Sequence, residues 1–267
     1  MTYLVLGATG KTGRHVVSSL TARGAEARPA SRATGFDLTD PATWDAALEG
    51  VTGAYIVETT EHPTLPGEFA ARAVAAGVRR LVFLSARLTH PTQLPGIEGR
   101  EKGVVDSGAE WTILRPAWFT QNVTELGMFS EPLAADGVLS LPTGQGREPF
   151  IDTRDIADVV AAVLLEDGHQ GKLYELTGPR ALTFTELIDG YAEATGKDVR
   201  YQAISEEDYV AGLLKEGMSD EEAAFMATML AELRESRGAE LTTTVRDVLG
   251  REPRDVTEWL GELRSAR

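Results

Sequence analysis

Short apolar runs alternate with amphipathic stretches through the first 125 residues. Tyr3–Leu6 is a β-rich run that ends in glycine, and residues 12–23 then set Val16, Val17 and Leu20 on one helical face before Gly24. Glu26–Arg32 reads as a second strand. Pro29 inside it has no N–H for the ladder and belongs at a bulge or strand end. Asp40-Pro41 reads as an N-cap with proline at the first helical position, followed by the stripe Trp44, Ala47, Leu48 and a stop at Gly50. Gly53–Val57 is the next strand, and Pro66 opens a helix that carries Phe69, Ala70, Ala73 and Val74. Arg79–Ser85 is apolar without alternation at Leu81-Val82-Phe83-Leu84, as expected of a strand covered on both faces. A helix over 97–107 and a buried strand over Trp111–Leu114 complete the series. Alternating β and α units predict an α/β fold, a doubly wound parallel sheet with right-handed crossovers.

After residue 125 the pattern changes. Gly137–Leu141 and Glu148–Ile151 read as a short hairpin around Thr143-Gly144-Gln145-Gly146. Asp152 or Thr153 caps a helix through Ile156, Val160 and Leu164, and Lys172–Thr177 reads as a final strand. From 183 the chain is mostly helical, with capping-box spacings at Thr183/Glu186 and Ser219/Glu222 and a weaker one at Ser205/Asp208. The expected division is a nucleotide-binding domain, 1–125 with 150–177, and a smaller, mostly helical C-terminal lobe, 126–149 with 178–267.

Gly7-Ala8-Thr9-Gly10-Lys11-Thr12-Gly13 lies between the first strand and the first helix. Gly7 permits the turn, Gly10 clears the approach of a pyrophosphate, and Gly13 lets helix and strand pack closely. The helix N-terminus offers unpaired N–H groups and partial positive charge to that pyrophosphate. Thr9, Lys11 and Thr12 join the glycines as candidate cofactor ligands. An acid after the second strand would bind a ribose 2′-hydroxyl. Here Ser31-Arg32 stands instead, suited to a 2′-phosphate, so NADP(H) is the expected cofactor. Arg28 and Lys11 are expected to add charge there, and Asp37 and Leu38 to meet the adenine.

Composition limits the chemistry. The absence of cysteine removes disulfides, thiolate metal sites and cysteine nucleophiles, and four scattered histidines suggest no metal site. A net charge of −15 argues against nucleic acid and anionic membrane surfaces as partners, and the acidic excess is expected mainly on the C-terminal lobe, where 204–240 holds ten acids against three bases. No apolar run reaches the roughly 20 residues of a membrane helix, and the first residues do not read as a secretion signal, so a soluble, cytoplasmic protein is expected. A homodimer is allowed for.

Three stretches carry a family resemblance. They are Ser107-Gly108-Ala109-Glu110-Trp111-Thr112-Ile113-Leu114-Arg115-Pro116-Ala117-Trp118-Phe119-Thr120-Gln121-Asn122, Phe150-Ile151-Asp152-Thr153-Arg154-Asp155-Ile156-Ala157, and Tyr174-Glu175-Leu176-Thr177-Gly178-Pro179. With the G-x-x-G-x-x-G loop and Gly250-Arg251-Glu252-Pro253-Arg254, they resemble the NmrA-like branch of the atypical short-chain dehydrogenases. The likeness is nearest to its festuclavine dehydrogenase and type 2 quinone oxidoreductase subgroup and covers essentially the whole chain. The resemblance implies a Rossmann fold, a C-terminal substrate lobe and a cleft between them. It also implies a substrate pocket around Trp118, Phe119 and Phe150, with Phe225, Met226 and Met229 placed to close it over a flat, apolar small molecule.

Short-chain dehydrogenases use Tyr-x-x-x-Lys to protonate an alkoxide. Four residues after the six tyrosines stand Gly7, Thr59, Gly178, Thr195, Ser205 and Leu213, so the motif is absent. Ser85, at the end of an inner strand, and Glu101, on the following helix, are the expected polar catalytic residues, with Glu98 a further carboxylate and Lys102 turned outward. Glu58 and Thr59, which follow the third strand of the sheet, are expected beside the cofactor, and His62 in the same loop. The leading expectation is an NAD(P)H-dependent reductase of a quinone, ketone or imine. The rival is an NADP(H)-binding redox sensor without turnover. A nucleotide-sugar epimerase or dehydratase stands behind both, since it also relies on the missing tyrosine.

Overall fold

A computed structural model describes residues 1–57, 62–87 and 97–266, apart from the side chains of Ile97 and Glu98. The N-terminal series runs β1 (Thr2–Leu6), α1 (Gly13–Ala22), β2 (Glu26–Ala30), α2 (Trp44–Leu48), β3 (Val51–Val57), α3 (Leu65–Ala75), β4 (Arg80–Leu84), α4 (Ile97–Val105) and β5 (Glu110–Pro116). Next come α5 (Asn122–Glu125), α6 (Gly127–Ala135), β6 (Val138–Leu141), β7 (Arg147–Glu148), α7 (Thr153–Leu165) and β8 (Lys172–Leu176). The chain closes with β9 (Leu182–Thr183), α8 (Phe184–Thr195), β10 (Arg200–Ala203), α9 (Glu206–Lys215), α10 (Asp220–Arg234), α11 (Thr244–Leu249) and α12 (Val256–Ser265).

Six parallel strands form the main sheet in the order β2-β1-β3-β4-β5-β8. Strand period two explains the continuous apolar runs. Tyr3, Val5, Val82 and Leu84 enter one core with Val16, Ile156 and Val160 of α1 and α7. Leu4, Leu6, Leu81 and Phe83 enter the opposite core with Trp44, Phe69 and Val104 of α2, α3 and α4. Pro29 is tolerated because β2 is an edge strand. The strand order reverses between β1 and β3, so the loop after β1 opens into the crevice where such sheets take ligands.

The expected hairpin over 137–151 is not formed. β6 pairs in parallel with β10, and β7 pairs antiparallel with β9. Both ladders tie this segment to the C-terminal helices rather than to itself. Asp152 does cap α7, and the three expected Ser/Thr caps open α8, α9 and α10. A third core is built around Phe184, with Phe129, Phe150, Leu187, Leu230 and Trp259. It draws in Val123, whereas Val245 of α11 packs with the sheet and α7. Asp155 and Asp158 of α7 bind Arg251 and Arg254, which fixes the chain between α11 and α12. No helix among the described residues is long and apolar enough to cross a membrane.

Candidate functional site

The glycine loop is tight. Gly7 has φ +61° and accepts the N–H of Gly10 at 2.8 Å. Thr12 stands at the N-cap of α1, yet its hydroxyl bonds the Tyr55 hydroxyl at 2.8 Å instead of capping the helix. Burial pushes the Tyr55 phenol well above its ordinary range, so this is a neutral contact. The N-terminal end of α1 thus has no side-chain cap, and its Arg14 N–H donates to the loop carbonyl of Gly10 at 3.3 Å.

A groove of about 890 Å³ runs past this loop. Gly7, Thr9 and Gly10 form one wall and Ser31, Arg32, Asp37 and Leu38 another, with His62 at the edge. Ser31 Oγ is buried and finds no partner among the described residues, and Arg32 forms no ion pair with one. Arg28, expected beside them, instead donates to the carbonyls of Ala47 (2.9 Å) and Glu49 (2.6 Å). Asp37 is held as a turn residue. Its carboxylate accepts the Thr39 N–H (2.9 Å) and hydroxyl (2.8 Å), which hold it below the usual carboxylate range. Glu58 and Thr59 lie outside the described residues, as does the side chain of Glu98.

A second cavity, about 240 Å³, opens at the C-terminal ends of β4 and β5. Trp118, Phe119, Leu126 and Met229 give it apolar walls, and Lys11, Ser85, Arg87 and Asn122 are its polar lining among the described residues. Lys11 is therefore here rather than beside Arg32, with Nζ donating to Asn122 Oδ1 at 3.2 Å. Phe150 and Phe225 do not reach this cavity. Phe150 lies one layer back, edge-on to Phe184, and of the three α10 residues expected to close the pocket Met229 lines it while Met226 packs on the Phe184 core instead.

Ser85 and Glu101 do meet, and Arg115 joins them. Ser85 Oγ donates to Glu101 Oε1 at 2.6 Å. Arg115 grips both Glu101 oxygens, at 2.8 and 2.6 Å. Glu101 is only 6% exposed and accepts three hydrogen bonds, so it holds Ser85 rather than facing the cavity. The Ser85 hydroxyl hydrogen is thereby committed, and its oxygen can only accept from a ligand. An arginine directly after the apolar pair Ile113-Leu114, at the end of β5, is the sequence signal that could have pointed to this trio. Lys102 turns away into an exposed pair with Asp106.

Glu148 was not anticipated. It is 5% exposed, lies behind Trp118 and accepts that residue's N–H at 3.2 Å. Burial pushes its carboxyl up to about 7, although the Trp118 N–H and the charge of Arg87 pull it down. Between its ordinary 4.5 and about 7, the folded chain keeps a proton that the unfolded chain has lost. Stability therefore falls as pH rises through that window and levels off above it. Glu148→Gln should raise the stability at pH 8 by on the order of 1–3 kcal/mol, and change it little near pH 4.5. Thermal melts at the two pH values check this, and an equal shift at both would remove the assignment.

Comparisons with known proteins agree with this architecture. The chain is 32% identical over 281 residues to an NAD(P)H azoreductase of Xenophilus azovorans, covering 96% of each chain. It is 29% identical over 276 residues to festuclavine synthase I of Penicillium roqueforti, covering 95% of each. A solved NADPH-dependent quinone oxidoreductase of Escherichia coli, complexed with NADPH, superposes with a TM-score of 0.76 at 26% identity, covering 98% of this chain and 99% of that one. The family model for the NmrA-like family matches residues 1–260, and with the six-stranded sheet and its glycine loop this makes the chain a member of that family.

Proposed function

We propose that the chain is an NADPH-dependent reductase that transfers hydride to a small conjugated or polycyclic electrophile such as a quinone, ketone or imine. The observation that carries this is the two-part cleft. A polar groove with a helix end that has no side-chain cap, the exposed Arg32 and a Ser31 hydroxyl without a partner among the described residues lies beside an apolar cavity at the strand ends. In this reading Gly7, Thr9, Gly10, Thr12 and Gly13 frame the pyrophosphate, and Ser31 and Arg32 hold the 2′-phosphate. Asp37 and Leu38 border the adenine. The Ser31 Oγ, which has no partner among the described residues, fits such a ligand.

When bound, the nicotinamide supplies the hydride, and the protein supplies orientation and exclusion of water. Trp118 and Phe119 give a flat, dry wall. The Trp118 ring is itself braced by stacking on Phe129, with centroids 5.6 Å apart. Ser85, held by Glu101 and Arg115, presents an acceptor at the strand ends. The lobe of 126–149 with 178–267 contributes Leu126 and Met229, and so sets which substrates fit.

NADPH oxidation followed across a panel of quinones, enones, azo compounds and imines tests the reading. Turnover of at least one class is expected. Tight NADP⁺ binding with no turnover of any would favour the redox-sensor reading instead.

A further inference from the structure

The geometry points to Lys11 as the group that delivers the proton accompanying hydride transfer, replacing the tyrosine that this chain lacks. This rests on the reductase reading above.

Hydride addition to C=O, C=N or N=N pushes an electron pair onto the heteroatom, and that atom needs a proton. Among the described residues, four polar side chains line the cavity: Lys11, Ser85, Arg87 and Asn122. Ser85 already donates its one hydroxyl hydrogen to Glu101. Arg87 donates to Glu175 and to the carbonyls of Gly238 and Glu240, and a guanidinium does not release its protons in proteins. The Asn122 amide is no acid, and its oxygen receives Lys11. Among the described lining residues, only the Lys11 ammonium carries a transferable proton. One of its three hydrogens is directed to Asn122, which fixes the side chain, and the other two have no partner among the described residues.

Among the described residues that ammonium forms no ion pair with a carboxylate. Glu125 is the acid that acts on it, and Arg14 of α1 holds both Glu125 oxygens at 2.6 and 2.9 Å. From the β4 and β5 side the charged groups are Arg87 and the closed Glu101–Arg115 pair, and from α10 the lining side chain is the neutral Met229. Burial lowers the Lys11 ammonium below its ordinary range, in the direction of easier release, with Glu125 opposing. In the step itself, the new bond from hydride to the electron-poor atom forms as the multiple bond opens. The Lys11 N–H bond breaks as the heteroatom–H bond forms. The neutral amine then takes a proton from water at the cavity mouth.

The experiment compares the wild-type chain with Lys11→Met and Lys11→Arg. It uses kcat with a substrate the wild type reduces, Kd for NADPH from fluorescence quenching, the pH profile of kcat, and NMR titration of the ¹⁵N-labelled lysines. With five lysines in the chain, the Lys11 resonance is assigned by its loss in Lys11→Arg. Lys11→Met is expected to lower kcat by about 100-fold and to abolish its decline at high pH, with Kd for NADPH held within about threefold. Lys11→Arg should not restore kcat, because it keeps the charge and loses the transferable proton. The Lys11 resonance should titrate below the ordinary lysine range. A rise in Kd with kcat retained would move Lys11 to the cofactor's phosphates and overturn the role. Rescue by Lys11→Arg, or a Lys11 resonance titrating within or above the ordinary lysine range, would also overturn it. If the wild type reduces nothing in the panel, the reductase reading itself fails and this role goes with it.

Discussion

Arg32→Ala should raise the KM for NADPH by roughly 10- to 100-fold and leave that for NADH within a factor of about three, a shift of about 1.5–3 kcal/mol for charge-assisted contacts to one phosphate. The reason lies in what Arg32 does not do. Arg28, two strand positions before Pro29's neighbour Ala30, has its guanidinium closed on two carbonyls, and Lys11 lies in the other cavity. Among the described residues Arg32 is left as the cation of the groove wall, exposed beside the Ser31 hydroxyl that has no partner among them. The nearby acid, Asp37, is engaged by Thr39 and stands on the same wall. Removing Arg32 therefore removes most of the positive charge available to a 2′-phosphate and little that NADH needs. The preference should also shrink in wild type as salt rises, because the side chain is exposed to solvent. Michaelis constants for both cofactors, at low and high ionic strength, decide it. An unchanged NADPH/NADH ratio in Arg32→Ala would take the 2′-phosphate away from this residue.

Much of the scaffold for this groove was legible in the chain. Leu81-Val82-Phe83-Leu84 can be apolar throughout only if both faces are covered, and the structure covers them with separate cores. The glycine loop was readable because its position between strand and helix explains each glycine. The misread hairpin shows where local pattern stops. Val138–Leu141 alternates in the same way whether its partner follows directly or stands at Arg200–Ala203, and nothing within the segment encodes that choice. The same holds for Phe150, whose ring belongs to the layer behind the cavity because Phe184 meets it there. Glu148 gave no signal at all, since a lone acid beside Pro149 reads as a surface residue until β9 and Trp118 close over it. Ser85 was visible at the end of β4 and Glu101 on the helix that follows it. Their relation to one another, with Arg115 between them and solvent, depends on β4, α4 and β5 meeting in space.

The glycine loop yields the sharpest structural test. A Cβ placed on Gly13 would sit 2.1 Å from the Gly7 carbonyl oxygen and 2.7 Å from its carbon, both backbone atoms. No rotamer relieves that contact, so in Gly13→Ala either α1 withdraws from β1 or the turn at Gly7 opens. Withdrawal would pull Val16 and Leu20, both buried, from the core they share with Tyr3 and Val5. Opening the turn would break the Gly10 N–H bond to Gly7 and turn the end of α1 away from the groove. Both routes damage the cofactor site, so Kd for NADPH should rise at least about 100-fold, as expected when the helix-end contacts to a pyrophosphate are lost together. The melting temperature should fall with it, by about 4–12 °C for a cost near 2–3 kcal/mol. Gly212→Ala provides the control. Gly212 is exposed on α9 with nothing within 4 Å of a new Cβ, so alanine there should hold or raise the melting temperature through helix propensity alone, by up to about 1 kcal/mol. Wild-type NADPH affinity in Gly13→Ala would show that the loop tolerates a methyl group where the backbone leaves no room for one, and the pyrophosphate assignment would have to move elsewhere.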